Sequence, residues 1–179
     1  MRLSLTFAGL ILMSCAFCQT GQIKDTLHWN EGRKLTWADF KGEALEYTGF
    51  AGECFCMNLA NFERPNFFSK TTFTVISVFD RSKSWVSPKS KNGIGLLFFQ
   101  TMFDLYELHS RELRKELSVT KFGTDPTAVF QEKYNASMTS LTNDYNEFRK
   151  ETKLGQDSDA LLRWERKVKE SLSSLRDYK

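Results

Sequence analysis

The feature that most constrains this chain is a change of hydrophobic period between its middle and its C-terminal half. Over residues 71–80 apolar and polar side chains alternate: Phe73, Val75, Ser77 and Phe79 fall on one face, Thr74, Ile76 and Val78 on the other. That two-residue period is the mark of a strand. From Gly95 onward Leu96, Phe99, Phe103, Tyr106 and Leu113 recur at helical spacing, with Glu107, Arg111, Arg114 and Lys115 between them. A helix is expected from Gly95 to about Leu117, a second from Ala128 to about Lys153 and a third from Ser158 to Leu175. Asp157, Ser158 or Asp159 is expected to cap the third. Upstream, 50–62 reads as a further strand, and Ser84-Trp85-Val86 is expected to extend the same sheet until Ser87-Pro88 ends it. Thr36 or Asp39 is placed to cap a short helical turn. N-terminal antiparallel strands followed by three C-terminal helices make an α+β fold.

The N-terminus predicts export. Arg2 precedes an apolar run, Leu3 to Met13, which is short of the roughly 20 residues that a membrane span needs and suits a cleaved signal. Ala16-Phe17-Cys18 before Gln19 places small residues as signal peptidase requires, giving a signal over 1–18 and one domain over 19–179. Leu12-Met13-Ser14-Cys15 offers the alternative of a lipid-anchored Cys15, the one route by which this chain is expected to meet a membrane. Either scheme places the mature protein in the periplasm or outside the cell. About 160 mature residues suffice for one domain with its own core. The 179-residue chain carries a formal charge of +3, with Lys and Arg interspersed with Glu along helical stretches. That is the pattern of solvated faces, and nucleic acid is not expected as a partner.

Of four cysteines, Cys15 and Cys18 leave with the signal or carry lipid, while Cys54 and Cys56 belong to the mature domain. At i and i+2 of a strand they share a face, and so short a loop makes a strained disulfide. A semi-buried thiol pair is expected. Asn135-Ala136-Ser137 fits a glycosylation sequon but falls in a predicted helix of a bacterial-looking export substrate, and is set aside.

The segment Leu96-Leu97-Phe98-Phe99-Gln100-Thr101-Met102-Phe103-Asp104, with Glu107, Arg111, Leu113, Arg114 and Lys115 after it, resembles the helix of a family of secreted bacterial proteins described as zinc-dependent proteases (domain of unknown function, family 922), common in Bacteroidetes, whose helix begins LL-HEQGHFD. Three further landmarks are similar to that family in the same order. They are 33–42 (RKLTWADFKG), Ser84-Trp85-Val86, and 148–155 (FRKETKLG) followed by Trp164. The resemblance spans most of the mature chain and implies a zincin-like helix and, for the relatives, bound zinc.

Here that helix is degenerate. In an H-E-x-x-H helix two histidines a turn apart hold one zinc and the glutamate moves the proton of its water. The matching positions hold Phe98, Phe99 and Met102, and the family's C-terminal histidine falls on Leu154. No cofactor is therefore expected. Phe98 and Met102, stacked on one helix face, are expected to plug the former cleft as core; the alternative is an apolar pocket lined by Phe98, Met102 and Leu154 for a peptide or lipid-like ligand. The alternative catalytic constellation is Asp104, Glu107 and His109. The two carboxylates, three residues apart, share a helix face suited to acid–base work, and His109 lies two turns past Met102. The bland expectation for His109 is a solvated or partly packed side chain. The leading expectation is an exported, catalytically inactive relative acting as a binding or scaffold module on an envelope protein or peptide. A divergent hydrolase and a purely structural envelope protein are the alternatives.

Overall fold

The computed structural model describes residues 25–44, 51–64 and 69–179; the predicted signal segment, with Cys15 and Cys18, and Phe50 lie outside them. The described residues form an α+β fold, strands first and three helices last, as the change of period implied.

Strands β3 (Cys56–Glu63) and β4 (Thr72–Asp80) form an antiparallel hairpin in register from Cys56↔Phe79 to Glu63↔Thr72. The three-residue β1 (Thr26–His28) pairs with the other edge of β4, giving the order β1-β4-β3. The alternation in β4 sends Val75 and Phe79 into the core, 2% and 0% exposed. Two expectations need correction. The strand expected over 50–62 is broken at Cys54-Phe55, and its first part, β2 (Gly52–Glu53), pairs with β5 (Trp85–Val86) in a separate two-stranded sheet. Ser84-Trp85-Val86 thus does not extend the main sheet. Ser84 turns the chain away instead: its N–H and its hydroxyl both donate to the Asp80 carbonyl, and its Oγ accepts from the Phe55 N–H.

Helix α1 (Gly93–Val119) is the centre of the fold. It packs on β3 and β4 by one face, and on α2 (Pro126–Glu151) and α3 (Ser158–Ser174) by others. A helix engaged all round needs more apolar residues than a surface helix, and its pairs Phe98-Phe99 and Met102-Phe103 are all buried. Each helix begins on a side-chain cap: Asn92 accepts from Gly95 N–H, Asp125 from Ala128 N–H and Asp157 from Ala160 N–H. Asp157 is thus the cap of α3, and Pro126 opens α2 in the position where its missing N–H costs nothing.

Polar ties fix the register of α1. Gln100 accepts from the Leu35 N–H at 2.7 Å and donates to Asp104 at 2.7 Å, binding the 33–42 segment to the helix. In the turn Trp37–Asp39, Thr36 N–H and Oγ1 both donate to Asp39, so the aspartate reaches back to the residue that opens the turn. Arg111 is 1% exposed; its Nε donates to Glu107 and its second nitrogen to the Leu172 carbonyl, while Trp29 stacks on it at 5.0 Å. These bonds join α1 to the end of α3 and to the N-terminal segment. Among the described residues no helix is long and apolar enough to cross a membrane.

Candidate functional site

The second and third turns of α1 present Phe98, Phe99 and Met102 toward the junction of α1, α2 and β2. The two aromatics diverge. Phe98 stacks on Phe148 of α2 at 5.0 Å and 16°, and Phe99 packs on Phe40 at 5.1 Å and edge-on to Trp37 at 6.3 Å. Phe148 is backed in turn by Trp164 of α3, whose indole N–H donates to Glu151 at 2.6 Å. Two of the C-terminal landmarks are thereby joined directly.

The turn from α2 to α3 brings the fourth position in. Thr152 ends α2 with its hydroxyl on the Phe148 carbonyl, and then Lys153, Leu154 and Gly155 adopt φ of 49°, 58° and 85°. Left-handed backbone is free for glycine and strained for a branched residue such as Leu154. Leu154 N–H to Arg149 carbonyl and Asp157 N–H to Thr152 carbonyl, both 2.9 Å, hold the turn shut. Phe98, Phe99, Met102 and Leu154 consequently line one cleft of about 650 Å³. Three form its buried floor, 7%, 6% and 3% exposed, whereas Leu154 stands 47% exposed. Phe98 and Met102, the two residues expected as a core plug, are buried and Phe99 with them, whereas Leu154 is not.

β2 with Cys54 supplies one bank of the cleft, Lys89 and Asn92 a second, and Tyr145 and Arg149 of α2 a third. Arg149 lies over the Tyr145 ring at 5.2 Å and donates to its hydroxyl at 3.3 Å. Burial pushes the Tyr145 phenol above its ordinary range, so it stays a neutral group. A shallower cavity of about 460 Å³ adjoins the cleft through Arg149, Leu154 and Gln156 and adds Asn146, Lys150 and Lys153. Sequence reasoning found the floor through the family resemblance but missed Tyr145, Arg149 and Lys89. The available signal was that Arg149 sits inside the 148–155 landmark.

Cys54 and Cys56 are free thiols 3.2 Å apart. Cys54 lies between strands at the edge of the cleft and Cys56 is buried at the start of β3, so they converge without sharing a strand. Burial first, and then the neighbouring Cys54, push the Cys56 thiol well up.

The alternative constellation is dispersed. Asp104 Oδ1 accepts from Trp29 and Gln100, both at 2.7 Å. Glu107 Oε1 accepts from Arg111 at 3.0 Å and Arg114 at 2.6 Å, beside a separate cavity of about 400 Å³. His109 is 2% exposed, not solvated, and faces α2, with Nε2 3.0 Å from Asp144 and Nδ1 3.2 Å from Glu112. Asp104 and Glu107 thus belong to the packing of α1 on the N-terminal segment and the arginines, and His109 to its packing on α2.

Zinc does not fit the four cleft positions. Their side chains offer a single thioether sulfur and three hydrocarbon groups, where zinc takes imidazole, thiolate or carboxylate. Among the described residues no three His, Cys, Asp or Glu side chains are grouped as metal ligands. The floor holds no titratable group, and what it can do is exclude water and cover hydrocarbon. No family model, curated protein or solved structure matches this chain.

Proposed function

We propose that this chain is an exported, catalytically silent relative of the zinc-protease-like family, kept as a binding module of the cell envelope. Its binding surface is the cleft floored by Phe98, Phe99 and Met102 and edged by Leu154. One observation carries the reading: positions more than fifty residues apart, matching the four ligand and proton-transfer positions of the resembled helix and turn, line a single cleft and are all apolar. Mutual collapse would have buried all four. Leu154 instead stays exposed on a turn with left-handed backbone, an arrangement that favours a receptive surface over a filled core. The carboxylates of the alternative hydrolase are each occupied by N–H donors of the fold, which favours a structural role for them.

The neutral dye Nile red tests the reading. The mature protein is expected to bind one dye per chain, with Leu154→Asp weakening it by about threefold or more from lost apolar contact. Aspartate tolerates left-handed backbone, so an unchanged melting temperature separates lost binding from lost folding. No saturable dye site would contradict the reading.

A further inference from the structure

Resting on the cleft reading above, we infer that the ligand is a single-chain carboxylate amphiphile, its hydrocarbon on the Phe98–Met102 floor and its carboxylate at Arg149. The cleft volume of about 650 Å³ lies inside the roughly 300–1,000 Å³ span of small-molecule sites. Phe98, Phe99, Met102 and Leu154 offer carbon and one thioether. On that floor a peptide main chain would lose water from its N–H and C=O groups, the polar side chains of the cleft (Glu53, Ser90, Asn92, Gln156) lying outside the four floor and edge positions, a cost that a hydrocarbon chain does not bear.

Charge supplies the second half. Lys89 and Arg149 both line the cleft against the single carboxylate of Glu53, and Lys150 and Lys153 extend the positive charge into the adjoining cavity. Lys153 is engaged by Asp157 at 3.3 Å. Arg149 differs: half-buried and held on Tyr145, it pairs with no carboxylate among the described residues. A guanidinium fixed by a ring and short of an acceptor is pre-organised for a planar anion. It also lines both cavities, so a head group there leaves the chain on the apolar floor and the carboxylate toward water. The C-terminal carbonyls of α2 would repel an anion, but those of Phe148 and Arg149 are covered by Thr152 and Leu154 N–H groups.

Displacement of Nile red, with all amphiphiles below micelle formation, provides the test. Dodecanoate is expected to displace one equivalent of dye about tenfold more tightly than dodecyltrimethylammonium, the scale of one charge-assisted contact. Arg149→Gln, with its fold checked by circular dichroism, is expected to remove that advantage while leaving dodecanol unchanged. Equal displacement by both head groups, or dodecanoate binding indifferent to Arg149→Gln, would overturn the head-group assignment and leave the apolar cleft standing. An acetylated peptide ending in Leu-Phe that outcompetes dodecanoate would overturn the acyl chain in favour of a peptide terminus. Absence of any dye binding would remove the cleft reading itself, and this inference with it.

Discussion

The ring of Phe98 lies where a side chain on Gly155 would have to go: a β-carbon built there would meet the ring at 3.0 Å, and the glycine holds φ at +85°. The residue in the first zinc-ligand position of the resembled helix and the glycine that ends the resembled turn are therefore fitted to each other. Gly155→Ala should cost about 1–3 kcal/mol through left-handed strain and displacement of the ring. Urea denaturation checks this, and an unchanged midpoint would mean that Phe98 does not pack there.

Glu107 accepts hydrogen bonds from Arg111 and Arg114, and Arg111 is 1% exposed. Glu107→Ala would leave that guanidinium buried with the Leu172 carbonyl and without an anion. A loss of about 3–5 kcal/mol is expected, again read from urea denaturation. A hydrolase built on this carboxylate would instead lose turnover in Glu107→Gln while keeping its stability.

Asp39 is 1% exposed. Burial alone would raise its carboxyl, but hydrogen bonds from Arg33 and Thr36, with the Arg33 charge, hold it below the ordinary aspartate value of 3.8. Because the folded value is the lower one, its stabilisation is fully present above the unfolded value and is lost as pH falls through the folded one. Wild type should therefore exceed Asp39→Asn by about 1–3 kcal/mol near neutrality, with the gap closing on acidification below about pH 4. A gap independent of pH would contradict the ionised, hydrogen-bonded carboxylate.

The thiol pair predicts unequal chemistry. Cys54 is partly exposed at the cleft, while Cys56 is 7% exposed with its thiol pushed up by burial. Thiolate, not thiol, is the nucleophile. Iodoacetamide at mild alkaline pH should modify Cys54 about tenfold faster than Cys56, followed by peptide mass spectrometry. Equal rates would place Cys56 outside the core.

Several of these relationships were legible before the fold was known. The spacing of Leu96, Phe99 and Phe103 located α1, and the alternation of Phe73 to Phe79 located β4, because both elements bury long apolar stretches and burial writes the period. β1 was not legible, and Trp85-Val86 was legible as strand but not its partner β2, since strands of three and two residues carry too few side chains to show a period and take their partners from tertiary packing. Local pattern leaves His109 either solvated or partly packed; the Asp144 and Glu112 carboxylates beside it come from α2 and from the next turn of α1. The place of Leu154 beside Phe98 depends on three consecutive left-handed residues that no periodicity records, and only the resemblance to a zinc-binding family pointed to it.

The metal content of the mature protein, purified without a histidine tag, tests the central claim most directly, by elemental analysis beside melting curves with and without chelator. Phe98, Phe99, Met102 and Leu154 predict zinc far below one equivalent and a melting temperature indifferent to chelator. One tightly held zinc per chain, whose removal lowers the melting temperature, would contradict the account and favour a zinc-dependent enzyme instead.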